Sequence, residues 1–158
     1  MAERLKAINP EIKLNVVNEF VRPEAIDKLL DTDADYLIDA IDSLTPKLTC
    51  LRAAFHKGMR IVSSMGAGGK LDPTQLQVVD ISKTHNCPFA QQIRKQLRAE
   101  GIKKGIKVVF SPELPDKKSI MKTDGTNFKK SAYGTISYLP AVFGATAASV
   151  VIRDLIEE

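Results

Sequence analysis

The chain has 158 residues, 44% hydrophobic and 27% charged, with a net charge of +4, a composition that suits one globular domain with its own core. No apolar run reaches the roughly 18–20 residues that span a bilayer; the longest, Tyr138 to Ile152, is broken by Thr, Ser and Gly. The two cysteines, Cys50 and Cys87, form no CxxC pair, which excludes a disulfide framework and a zinc site of the usual kind and points to a reducing, cytoplasmic compartment.

The elements follow in chain order. Met1 to Asn9 reads as the end of a helix stopped by Asn9-Pro10, with Leu5 and Ile8 on one face. Lys13 to Glu19 is strand-like. Arg22-Pro23-Glu24 opens a helix whose stripe is Ala25, Ile26, Leu29 and Leu30. Tyr36-Leu37-Ile38 suits a parallel strand buried on both faces. Thr45-Pro46 starts a helix, with Thr as its cap, that Gly58 ends, and Arg60 to Met65 is another strand, stopped by Gly66-Ala67-Gly68-Gly69. Leu76 to Ile81 is a further strand. Pro88 to Glu100 is a helix with Phe89, Ile93 and Leu97 at a spacing of four. Lys107 to Phe110 is a strand, Thr135 to Tyr138 a short one, and Pro140 to Leu155 a closing helix. The expected fold class is α/β, a doubly wound, mainly parallel sheet forming one domain over residues 1–158. An α/β domain of this type usually starts with a strand and a Gly-rich turn, so the N-terminal part is expected to be missing, leaving the first strand without a neighbour on one side.

Charge is segregated. Residues 94–130 hold 11 Lys/Arg against 4 acids, a net +7, so the rest of the chain carries −3. Such a region is either a solvated face or the footprint of a polyanion. Within it, the Pro- and Lys-rich stretch at about 111–130 is expected to be a mobile loop, lying away from the candidate site.

That site is marked by Asp35-Tyr-Leu-Ile-Asp39-Ala-Ile-Asp42-Ser43. A buried strand ends in a carboxylate and a helix follows at once; in open α/β sheets ligands bind outside the carboxyl ends of strands. Asp42 there could hold Mg²⁺ beside phosphate oxygens, or simply cap the helix. Asp39, deeper in the strand, needs hydrogen-bond partners and reads as structural support. Gly66 to Gly69 also follows a strand; it is either a turn between two strands or a place where backbone approaches a phosphate. Cys87, just before a helix and near His85, is either a plain helix-start residue or an activated thiol. Cys50 reads as core, and His56 suits the end of its helix.

The runs at 1–10, 35–43 and 66–74 (Met-Ala-Glu-Arg-Leu-Lys-Ala-Ile-Asn-Pro, Asp-Tyr-Leu-Ile-Asp-Ala-Ile-Asp-Ser, Gly-Ala-Gly-Gly-Lys-Leu-Asp-Pro-Thr), together with Val79-Asp-Ile-Ser-Lys-Thr, Val108-Val-Phe-Ser-Pro-Glu and Phe143-Gly-Ala-Thr-Ala-Ala-Ser-Val-Val-Ile-Arg, resemble the E1-like activating enzymes, the group of ThiF, MoeB and HesA. The resemblance is closest to the branch that dehydrates threonylcarbamoyladenosine in tRNA. It implies a Rossmann-like, ATP-binding fold and an ATP-dependent ligase-class cyclisation through an adenylated intermediate, with tRNA as substrate, ATP and Mg²⁺ at the site, and a homodimer. By position it makes Asp42 the catalytic, metal-holding aspartate, with Ser43 after it; Asn18, Glu19 and Phe20 border the adenine, and Gly66 and Gly68 lie beside the site. With the basic region it implies Lys117, Lys118, Lys129 and Lys130 as RNA contacts. The CxxC zinc pairs of ThiF and MoeB are absent, which favours the dehydratase over adenylation of a ubiquitin-like sulfur carrier. The family's Gly-rich ATP loop and its phosphate-gripping Arg and Lys are not in these residues, so the chain resembles the C-terminal part of such an enzyme; a non-catalytic remnant acting by protein association is the other class of reading.

Overall fold

The computed structural model describes residues 1–31, 33–122 and 131–157. Its centre is a four-stranded sheet of β1 (Tyr36–Asp39), β2 (Arg60–Ser64), β3 (Gln77–Asp80) and β4 (Lys107–Phe110), in the order β1-β2-β4-β3. β1, β2 and β4 run parallel, and β3 joins antiparallel to β4. Asp39, Ser64 and Phe110 therefore all lie at one end of the sheet, the carboxyl end.

Helices cover both faces, as a doubly wound sheet requires. On one face α2 (Ile26–Leu29), α3 (Leu44–His56) and α4 (Pro88–Ala99) pack through Ile26, Leu51, Ala54, Ile93 and Leu97 onto Ile61, Val108 and Phe110. On the other, α5 (Tyr138–Ile156) lays Leu139, Phe143, Ala147 and Val150 on Val62 and Val109. The alternation of Ile61, Val62, Val108 and Val109 between the two clusters is the period of two of a pleated strand. α5 is longer than the run expected from sequence. It has 19 residues, and an 18-residue window of it averages a hydropathy of 1.5, long and apolar enough by composition alone to cross a membrane, yet its buried stripe packs it on the sheet. Its far end is tied to the amino ends of three strands. Asp154 accepts the Tyr36 hydroxyl at 2.7 Å and pairs with Lys107, and the Arg60 guanidinium lies 5.3 Å from the Tyr36 ring.

Three expectations fail. Lys13 to Glu19 forms no strand; Val16 and Val17 are exposed and no described strand pairs with this segment. Its apolar run alone does not suffice, because a strand exists only with a ladder partner. The helix before it, α1 (Ala2–Ile8), buries no residue, and Leu5 and Ile8 stay exposed. β1 is not buried on both faces but forms an edge of the sheet, with Ile38 half exposed. Thr135 to Tyr138 is no strand either. A two-stranded antiparallel hairpin stands just before it, β5 (Ile120–Lys122) with β6 (Ser131–Tyr133), so part of the stretch expected to be a loop is regular structure. Residues 123–130, with Lys129 and Lys130, lie outside the described residues.

Candidate functional site

The β1–α3 connection is held from beneath. Asp39 and Ser63 are register partners on β1 and β2, and the Ser63 hydroxyl donates to Asp39 Oδ2 at 2.6 Å. The Ile41 amide donates to Asp39 Oδ1 at 3.0 Å. Lys47, in the first turn of α3, reaches back so that its Nζ lies 2.6 Å from Asp39 Oδ2, donates to the Ile41 carbonyl at 3.1 Å and the Ser64 carbonyl at 2.8 Å, and sits 5.7 Å from the Phe89 ring. Both side chains are fully buried. Burial pushes the Lys47 ammonium below its usual pKa, while Asp39 first, and Asp42 more weakly, push it back. Two carbonyls and a carboxylate satisfy an ammonium that would otherwise be costly inside a core. The structural role expected for Asp39 is what the structure shows. Lys47 was missed; its signal is a lysine one helical turn past the start of α3, beside a buried acid.

This frame presents Asp42, exposed at the carboxyl end of β1, immediately before Ser43. Ser43, not Thr45, occupies the cap position of α3; its backbone is extended and its carbonyl accepts the Lys47 amide at 3.2 Å. Pro46 then falls within the first turn, where its missing N–H costs nothing. Asn18, Glu19 and Phe20 lie on the exposed segment before α2, with the Arg22 guanidinium 5.9 Å from the Phe20 ring. Among the described residues no group of three or more His, Cys, Asp or Glu side chains could hold a metal. A cavity of about 630 Å³ lies elsewhere, between Leu30, Asp35, Lys57 and Arg60 at the amino ends of β1 and β2.

The Gly66–Gly69 turn leaves β2 at the same end as Asp42 and leads to β3, and the start of α4 packs against it, with Phe89 Cβ 3.6 Å from where a Cβ on Gly66 would stand. A buried lysine secures it. Lys70 Nζ donates to the Ser111 carbonyl at 2.7 Å; burial lowers the Lys70 pKa, and the neighbouring Cys87 and then Glu113 raise it. Cys87 sits buried at the cap position of α4, and its charged neighbour is Lys70. His85 is exposed and stacks edge-on against Phe110 at 5.5 Å. Cys50 is core, where burial pushes its thiol up to about 11.

The basic region divides. Lys103, Lys104 and Lys107 lie at or before the start of β4, the amino end of the sheet. Lys117, Lys118 and Lys122 lie exposed on the hairpin and the turn before it, whose root touches the Gly66–Gly69 turn. The hairpin therefore stands at the Asp42 end rather than away from it.

A model of the ThiF family matches residues 1–158. The chain is 35% identical to the tRNA threonylcarbamoyladenosine dehydratase of Bacillus subtilis (strain 168), over all of this chain and 65% of that protein, and 33% identical to the protein of the same name from Escherichia coli (strain K12), over 98% of this chain and 64% of that one. Among solved structures it resembles the Escherichia coli tRNA N6-threonylcarbamoyladenosine dehydratase in complex with ATP, with a TM-score of 0.84 at 32% identity, over 99% of this chain and 62% of that one. The chain thus spans less than two thirds of the length of these relatives.

Proposed function

The chain belongs to the ThiF family, and on that premise we propose that the protein carrying it dehydrates threonylcarbamoyladenosine in tRNA with ATP. The observation that carries this reading is Asp42, held at the carboxyl end of β1 by the buried Asp39–Lys47 pair, in a chain that matches an ATP-bound dehydratase along nearly its whole length. A carboxylate at that place suits Mg²⁺ beside phosphate oxygens.

ATP, when bound, supplies the adenylyl group that turns an oxygen of the threonyl carboxylate into a leaving group, releasing pyrophosphate. The carbamoyl group of the same side chain then closes the ring and AMP departs with that oxygen, so the nucleoside loses one water overall. Asp42 holds the metal, and Ser43 opens the helix beside it. Asn18, Glu19 and Phe20 border the adenine, Gly66 and Gly68 wall the site, and Lys117, Lys118, Lys129 and Lys130 contact tRNA phosphates. The protein works as a cytoplasmic homodimer. Residues 1–158 are part of an E1-like activating domain.

Release of AMP by the protein from its complete reading frame tests the reading. AMP is expected when threonylcarbamoyladenosine-bearing tRNA is added with Mg-ATP. AMP formed with a carrier protein ending in Gly-Gly, and none with tRNA, would replace this reading by carrier adenylation. No AMP with either would leave an associating, non-catalytic domain.

A further inference from the structure

A two-stranded ribbon is marginal in water unless something anchors it. β5 is exposed along all three of its residues, including Ile120 and Met121, so packing on a sheet does not hold this hairpin. Its root is stitched to the glycine turn. The Gly69 amide donates to the Gly134 carbonyl at 2.8 Å, the Asp116 amide to the Gly69 carbonyl at 2.7 Å, and the Gly134 amide to the Ser119 carbonyl at 2.8 Å.

The glycines are what let the two backbones meet. A Cβ on Gly68 would fall 2.6 Å from Tyr133 Cβ, an atom that moves only with the hairpin backbone. Gly69 has φ +72°, and a Cβ there would lie 3.0 Å from Pro115, Ser119 and Tyr133, so its left-handed backbone and its tight surroundings both call for glycine. The Gly69 amide, which donates to the hairpin, is not available to donate to a phosphate. Beneath the turn, Lys70 ties it to the Ser111 carbonyl at the end of β4. The seat is therefore as rigid as the sheet.

We infer that Gly68 and Gly69 are the seat of the basic hairpin, and that they fix Lys117, Lys118 and Lys122 as an RNA-binding wall at the end of the sheet where Asp42 stands. The identity of the RNA rests on the tRNA-dehydratase reading. Three exposed lysines beside exposed Leu114, Ile120 and Met121 supply both parts of RNA recognition, cations for phosphates and apolar surface for unstacked bases. The turn and the hairpin are one unit, and Gly68 and Gly69 are positioning residues.

Binding of a tRNA transcript, measured without ATP and without turnover, keeps this inference separate from the reaction. Gly68→Ala in the protein from its complete reading frame is expected to weaken tRNA binding at least about tenfold and to lower the salt slope by about two to three. Adding Tyr133→Gly, which removes the clashing Cβ, should restore most of the loss. Hydrogen exchange on the unaltered protein needs no variant to fold: tRNA should slow exchange in 66–69 and 117–122 together. Parental tRNA affinity and salt slope in Gly68→Ala, or protection of 66–69 by Mg-ATP or a Gly-Gly carrier but not by tRNA, overturns the inference.

Discussion

Lys47 Nζ lies 2.6 Å from Asp39 Oδ2 with both side chains out of water, and this pair joins the first turn of α3 to the ends of β1 and β2. Removing one partner strands the other as a buried charge. Lys47→Met is expected to destabilise the fold by about 3–5 kcal/mol, and Asp39→Asn added to it should recover part of that loss, because the charge left alone is then gone. Urea unfolding of the two variants checks this. A loss below about 1 kcal/mol for Lys47→Met would mean that the pair does not hold the turn.

Asp42→Asn keeps the shape of the side chain and removes its charge. If the carboxylate grips the metal chiefly in the reacting complex, turnover should fall on the order of 10²–10³-fold while ATP affinity changes little. Steady-state kinetics beside calorimetry separate the two quantities. Near-normal turnover would reduce Asp42 to a residue that shapes the start of α3.

Cys87 is expected to be dispensable. It is buried against Lys70 at the start of α4, and the proposed chemistry needs no enzyme thioester. Cys87→Ser keeps a polar partner for Lys70 and should hold activity within a few-fold. A several-hundred-fold loss with the fold intact would make the thiol a participant.

Much of this was legible in the sequence, where local pattern and final environment agree. The existence of α3 between its Pro46 start and Gly58, the α4 stripe, the strands at 36–39, 60–64 and 107–110, and the buried support role of Asp39 follow from helix-end signals, apolar pattern and the cost of an unpaired carboxylate. Lys13 to Glu19 misled because Val16 and Val17 have strand propensity, which counts only where a neighbouring strand completes the ladder. Lys47 carried only the signal of its place one turn into α3, and Lys70 none, because burying a lysine depends on acceptors distant in sequence, the Ser64 carbonyl for one and the Ser111 carbonyl for the other. The purpose of the glycine turn was hidden likewise. Its partner, Tyr133, lies over 60 positions further along the chain.

Tyr36 gives the pH dependence. Burial, and then the hydrogen bond to Asp154, push its hydroxyl up from 10.0 to about 12. A group whose pKa is raised on folding stabilises the fold fully below its unfolded value and loses that contribution as pH rises through the folded one. Thermal melts between pH 10 and about 12 should therefore fall more steeply for the parent than for Tyr36→Phe. Parallel curves would mean that the Tyr36–Asp154 contact does not form in solution.

The most direct test of the account follows the nucleoside itself. The protein from its complete reading frame is incubated with Mg-ATP and tRNA bearing threonylcarbamoyladenosine, the RNA is digested to nucleosides, and their masses are measured. The account predicts that the modified adenosine loses the mass of one water as equimolar AMP appears, and that neither change occurs with Asp42→Asn. An unchanged nucleoside mass in the presence of folded, ATP-binding protein would contradict it.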